Sequence, residues 1–343
     1  MEDTAKLDIK QSTKEILDTI ERDREREIIA RRFGLYDRKE TLEQIGELLG
    51  ITRERVRQLE KAILIRLKLA AEKDLPHINA VEKDFIRHLS EMGRAAKVAD
   101  LAGKVGEKGD ERDKAHVAFL ATLAPNLTVI DENDDYHQAV AIKEHHDEKQ
   151  LKERVTEVVK TIKTHGQPVT INELHGKLSG YEHPEHVRAL ASISKSLASL
   201  KDQWGHIKWP LVNPKNIRDK IYVILQENEK PMHFSEIAGK IKDSDFKRKD
   251  VTTQAIHNEL IKDARFVLIG RGIYALKEWG YQKGTVADII TKILKKAKEP
   301  MHRDDIVREV LKSRQVKETT ILLNLQGKPQ FKRVAKATYE FAE

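Results

Sequence analysis

With 343 residues, of which 35% are charged and only 5% aromatic, the chain is longer than one hydrophobic core usually organises, and several small domains are expected. Zero cysteines exclude disulfides, thiolate zinc sites and cysteine nucleophiles, and fit a reducing compartment. The net charge is +7, no apolar run approaches membrane-spanning length, and the polar start MEDTAKLDIKQSTKE lacks a signal peptide's apolar core, so a soluble, cytoplasmic protein without membrane contact is expected.

The charge is unevenly placed. Residues 1–75 hold 17 basic and 17 acidic side chains, whereas residues 51–68 hold six basic and two acidic. Residues 110–150 run the other way, with ten acids and four bases, so a single polyanion track along the whole chain is not expected.

The first informative stretch is TLEQIGELLGITRERVRQLEKAI, residues 41–63. Thr41 with Gln44 three positions later is a capping box that starts a helix at Leu42. Leu42, Ile45, Leu48 and Leu49 recur at helical spacing, and Gly50 follows where a left-handed stop is cheapest. Thr52 suits the cap of a second helix whose apolar positions Val56, Leu59, Ile63 and Leu67 form one stripe. The opposite side carries Arg53, Glu54, Arg57, Gln58 and Lys61. Two amphipathic helices around a glycine turn make a helix-turn-helix, whose second helix fits the DNA major groove. Arginine, glutamine and glutamate are the side chains that recognise guanine, adenine and cytosine edges. The alternative is a solvated face of mixed charge held by helical ion pairs.

The longer segment EREIIARRFGLYDRKETLEQIGELLGITRERVRQLEKAI, residues 25–63, closely resembles region four of the primary sigma factors of bacterial RNA polymerase. The resemblance implies recognition of a promoter −35 element through the helix beginning Thr52-Arg53-Glu54-Arg55, and docking on the polymerase flap. By position it implies base contacts by Arg53, Glu54 and Gln58, and phosphate contacts by Arg55 and Arg57 and by Thr41 and Leu42 at the preceding helix start, with Lys61 as a further phosphate candidate. No other part of the chain resembles the sigma segments that grip the clamp or melt the −10 element, a task that needs an aromatic-rich basic helix. A regulator that borrows the sigma reading head is therefore expected rather than an autonomous sigma factor.

Beyond residue 80 the chain repeats loosely. GQPVTINELHGKL from 166, EKPMHFSEIAGKI from 229 and KEPMHRDDIVREVL from 298 each follow one amphipathic helix and precede another, and VEKDFIRHLSEMGRAAKVADLAGKV, residues 81–105, is a weaker copy. In the clearest copy, helices over 217–227, 234–242 and about 251–262 precede RFVLIGRGIYAL, a hairpin signal with the basic tip Gly270-Arg271-Gly272. Three helices plus a hairpin predict a winged helix, and KPMHFSEIAGKI with RFVLIGRGIYALKEWG is similar to the HARE-HTH family. Lys247, Arg248, Lys249, Gln254 and Arg271 are secondary DNA-binding candidates there, with Thr252, Thr253 and Asn258 facing outward beside them. The last copy, 14 basic and 8 acidic residues over 283–343, is another candidate, although it ends in FKRVAKATYEFA without a glycine tip. For the acidic stretch near 110–150 a protein contact or none is expected, because phosphates would be repelled.

Other chemistry is not expected. His145 with His146, and His183 with His186, lack a third ligand at zinc-site spacing and read as exposed loop histidines. GKVGEKGD, residues 103–110, lacks a phosphate loop's Gly-Lys-Ser/Thr ending and reads as a mobile linker. Trp204 and Trp209 are expected to pack in or near a wing.

The expected fold is mainly α, with tandem helix-turn-helix and winged-helix modules and short β-hairpin wings. The expected divisions are 1–75, 80–145, 150–213, 215–282 and 284–343. The expected function is a non-enzymatic transcription regulator whose partners are double-stranded promoter DNA and RNA polymerase, with no cofactor, metal or small-molecule substrate. The alternative is a polymerase-docking scaffold that reads no bases.

Overall fold

The computed structural model of the protein describes residues 8–342; the first seven residues of the polar start and the final glutamate lie outside the described residues. Four helices come first: α1 (Ile9–Asp18), α2 (Asp23–Phe33), α3 (Leu42–Leu49) and α4 (Arg53–Ala71). One pattern of helix, short strand, two helices and hairpin then recurs four times among the described residues. The first copy is α5 (Ile78–Glu91), β1 (Ala95–Lys97), α6 (Val98–Val105), α7 (Glu111–Leu123), β2 (Leu127–Ile130) and β3 (Ala139–Ile142). The second is α8 (Glu148–His165), β4 (Val169–Thr170), α9 (Ile171–Lys177), α10 (Pro184–Ile193), β5 (Leu197–Leu200) and β6 (Gln203–His206). The third is α11 (Ile217–Asn228), β7 (Met232–His233), α12 (Phe234–Asp243), α13 (Thr253–Lys262), β8 (Phe266–Gly270) and β9 (Ile273–Leu276). The fourth is α14 (Val286–Ala297), β10 (Met301–His302), α15 (Arg303–Ser313), α16 (Glu318–Gly327), β11 (Phe331–Ala335) and β12 (Thr338–Phe341).

In each copy the last strand lies between the other two, antiparallel to both. This is the winged-helix arrangement, so the chain is mainly α with helix-turn-helix modules and β wings, as the periodicity predicts. The short strand ends where a residue caps the next helix: Thr170 by a capping box, and His233 and His302 by their ring Nδ1. The wing of the fourth copy closes without glycine, and Ala337 takes the left-handed conformation at its tip (φ 56°).

The chain divides in sequence at Ile207 and Lys208 into two compact units. In the first unit one hydrophobic core runs from Ile9 to Ile142. Its hub is α7, which packs against α1, α2, α4, α5 and α6 and buries Val117, Ala118, Phe119, Leu120, Ala121 and Leu123 together with Asp113 and His116. From His116 on, this helix is buried on nearly every side, as a helix inside a core is. The expected boundary between 75 and 80 is therefore not a break in packing.

Three sequence expectations are corrected here. The segment 103–110 is the end of α6 followed by an ordered connection: the buried Asp113 carboxylate accepts the backbone N–H of Lys108 and of Gly109 at 2.8 Å each and faces Lys10 at 3.4 Å. Burial alone would raise the Asp113 pKa, but these donors and Lys10 hold it below the usual value. His146 is no exposed loop residue, since it is only 3% exposed, while His183 and His186 sit at the start of α10 with ring centroids 6.0 Å apart. Leu48, counted with the apolar stripe of α3, is 54% exposed. Trp204 lies buried in strand β6 of a wing, as expected.

Candidate nucleic-acid interface

The helix-turn-helix of α3 and α4 is built around a small core of its own. Ile28 of α2, Ile45 of α3 and Val56 of α4 are fully buried, with Leu42, Leu49, Ile51 and Leu59 packed around them. The Thr41 hydroxyl accepts the Gln44 N–H at 3.3 Å and the Gln44 side chain accepts the Thr41 N–H at 2.9 Å, completing the capping box. Gly50 turns the chain at φ +64°. Ile51 N–H then returns to the Gly46 carbonyl at 2.9 Å, and the Thr52 hydroxyl caps α4 through the Arg55 N–H at 3.2 Å. A Cβ on Gly46 would stand 2.7 Å from the Ile51 carbonyl oxygen, so this glycine sets how closely α3 approaches the turn.

Ion pairs fix α4 against α2: Arg32 to Glu60 at 3.1 Å and Arg66 to Glu25 at 2.6 Å. Arg24 of α2 donates to the Leu49 carbonyl at 2.6 Å. With the stripe Val56, Ile63 and Leu67 buried, the other side of α4 is left outward. Arg53, Glu54, Arg55, Arg57, Gln58 and Lys61 are all exposed. At about 100° per residue, all but Arg55 fall within an arc of about 140°, with Arg55 at its flank.

This face is internally paired. Arg57 donates to Glu54 at 2.6 and 2.9 Å, and Gln58 bridges Glu54 and Arg55 at 3.4 Å each. The Arg57 guanidinium holds the Glu54 carboxyl below its usual pKa, and Glu54 raises Arg57 in return. The Arg53 side chain makes no hydrogen bond among the described residues. Exposed pairs of this kind are worth little in water, so they exchange readily for a ligand's groups. Thr41 and Leu42 lie at the start of α3, where the first amides lack intrahelical partners and favour an anion.

The secondary candidates gather on the third winged helix. Lys247 and Arg248 are exposed, and their carbonyls accept the buried Lys220 ammonium at 2.8 and 2.7 Å, which holds the loop before α13 in place. Lys249 donates to the Ser244 carbonyl at 3.1 Å, and Gln254 donates to Asn258 at 3.1 Å along α13. Arg271 is exposed at the wing tip. A Cβ on the adjoining Gly272 would meet the His233 ring at 2.4 Å. The rings of His233, Phe234 and His257 then lead from tip to α13 in steps of 4.4 and 4.8 Å. Lys220 was missed in the sequence, although a lysine in the stripe Ile217, Ile221, Ile224 is itself a signal.

Residues 22–69 match the family described as Sigma-70, region 4. The chain is 38% identical over 80 residues to the RNA polymerase sigma factor SigA of Microcystis aeruginosa, a match covering 23% of this chain and 18% of that protein. It is 38% identical over 80 residues to the SigA of Synechocystis sp., covering 23% and 17% respectively. The chain thus spans less than a fifth of the length of these relatives.

Proposed function

We propose that the chain is a DNA-binding transcription regulator of sigma-factor type, working in the cytoplasm with RNA polymerase at a promoter element of the −35 kind. Residues 1–75 form the reader: α4 enters the major groove, Arg53, Glu54 and Gln58 take base edges, and Thr41, Leu42, Arg55, Arg57 and Lys61 hold phosphates. One observation carries this reading: base-recognising side chains stand exposed on a helix whose other face is locked into a core, in the segment that matches Sigma-70, region 4. The relatives' own names supply RNA polymerase as the partner.

The modules 80–145, 150–213, 215–282 and 284–343 extend the head. The module 215–282, similar to HARE-HTH domains, adds a second DNA contact through Lys247, Arg248, Lys249, Gln254 and Arg271. The reading needs no catalytic residue, cofactor, metal ion or small-molecule substrate.

The mutual pairing of Glu54, Arg57 and Gln58 favours a second reading, in which the head docks on polymerase and reads no bases. Gel-shift titration of −35-like and scrambled duplexes, beside polymerase capture without DNA, separates the two. A preference for the −35-like duplex supports the reader. Polymerase capture with equal or no affinity for the duplexes supports the scaffold.

A further inference from the structure

The four winged helices do not present their third helices alike. In the first copy α7 is buried in the core from His116 to Leu123 apart from the half-buried Thr122. In the second, α10 packs against β1 of the preceding copy, so closely that a Cβ on Gly93 would meet the Glu185 carbonyl at 2.2 Å. By contrast α13 exposes Gln254, Asn258 and Ile261, and α16 exposes Thr319, Thr320, Leu323 and Gln326.

The hairpins differ in the same direction. The first wing carries Asp131, Glu132, Asp134 and Asp135 and is engaged by its own chain: Lys195 N–H donates to the Asp135 carbonyl at 2.8 Å and Lys195 pairs with Glu132 at 2.7 Å. The second turns on Lys201 and Asp202 and the third on Arg271. The fourth carries Lys332, Arg333 and Lys336 against a single acid, Glu340, which lies across from Lys332 on β12.

The outer strand of that fourth wing, β11, stands away from its module. After the buried Phe331, residues Lys332, Arg333, Val334 and Ala335 are all exposed. Successive strand residues point to opposite faces, so both faces of β11 beyond Phe331 are open to solvent, while β12 keeps Tyr339 in the core. A bulge between Arg333 and Ala335 sharpens the local twist. Core packing does not dictate these residue types, and none of the three cations joins an ion pair among the described residues. Lysine on an edge strand also guards against aggregation, but one charge suffices for that, and here cations stand on both faces. A protein partner would need apolar area at the contact centre, whereas only Val334 and Ala335 offer it.

We propose that this wing grips the phosphate backbone of duplex DNA without reading its sequence, through Lys332, Arg333 and Lys336. The site goes beyond the promoter reading, because such a grip adds affinity and not specificity.

The test uses the full chain, fluorescence anisotropy and a random-sequence duplex over a series of salt concentrations. Replacing Lys332, Arg333 and Lys336 together by alanine should weaken binding at low salt at least tenfold. It should also flatten the slope of log K against log salt by about 2 to 3, at about 0.9 per lost phosphate contact. The ratio between −35-like and scrambled duplexes should stay unchanged, and Lys332→Arg with Lys336→Arg should keep the parent slope. An unchanged slope and affinity in the alanine variant overturns the proposal, as does a loss confined to polymerase capture. Arg53→Ala reads out the head separately: if it leaves sequence preference intact, the head assignment fails while the wing's slope still stands.

Discussion

Phe33 at the end of α2 meets Phe119 of α7 edge-on, with ring centroids 5.2 Å apart and planes inclined at 71°. The contact joins the N-terminal helix-turn-helix segment to the winged helix that follows it, and Phe119 is completely buried. Deleting a buried aromatic costs about 3–5 kcal/mol. Phe119→Ala should therefore destabilise the head together with the first winged helix, and hydrogen exchange should speed up in α2 and α4 as well as in α7. Undisturbed protection of α2 would show that the head folds independently of this core.

The turn of the head depends on Gly46, where a Cβ would press 2.7 Å from backbone oxygen rather than against a yielding side chain. Overpacking of this sort typically costs 1–3 kcal/mol. Gly46→Ala should lower the melting temperature and weaken duplex binding by shifting α4, and Gly103→Ala in α6, whose Cβ would meet nothing within 4 Å, serves as the control for helix propensity alone and should leave the melting temperature equal or higher. A melting temperature equal to the parent's would rule out close packing as the reason for this glycine.

His146 gives the protein a sensitivity to acid. Burial, with Arg154, His145, His186 and Arg94 nearby, pushes its pKa down to about 4. The unfolded chain binds this proton below about pH 6.5 while the folded chain refuses it. Stability is thus whole above pH 6.5 and falls as the pH drops from 6.5 towards 4, by up to about 3 kcal/mol from this residue. Burial depresses His116, His137 and His186 in the same direction. Denaturant melts at pH 7, 5.5 and 4.5 should show the decline, and His146→Gln should reduce it; a parallel decline in both proteins would contradict the assignment.

Lys220 is the hidden support of the loop 247–249. Its ammonium is buried and its pKa is lowered by that burial, and hydrogen bonds from charged groups are worth about 1.5–3 kcal/mol. Lys220→Met should destabilise the third winged helix by that order and raise hydrogen exchange at residues 247–250. Equal exchange in the two proteins would leave the loop's position unexplained by Lys220.

Local signals were legible in the sequence because local physics decides them. The capping box at Thr41, the left-handed stop at Gly50 and the hairpin around Arg271 each rest on a few neighbouring residues, and all three form where expected. The exposed arc of α4 follows from the burial of Val56, Ile63 and Leu67 in the same way. Long-range packing was not legible. Nothing near residue 113 announces that a carboxylate will gather the amides of Lys108 and Gly109, so a glycine-rich turn reads as a linker. Likewise, α7 is buried in part by α1, α2 and α4, which lie forty or more residues earlier, and no local pattern carries that information.

The most direct measurement for the central claim is the affinity of the full chain for a −35-like duplex and its scrambled counterpart, for the parent, Arg53→Ala and Arg57→Ala. Loss of one bidentate base contact should cost about 1–3 kcal/mol on the −35-like duplex alone. Arg57→Ala should weaken both duplexes alike and reduce the salt slope by about 1. Equal affinity of the parent for both duplexes, or an Arg53→Ala protein that discriminates as well as the parent, would contradict base reading by α4.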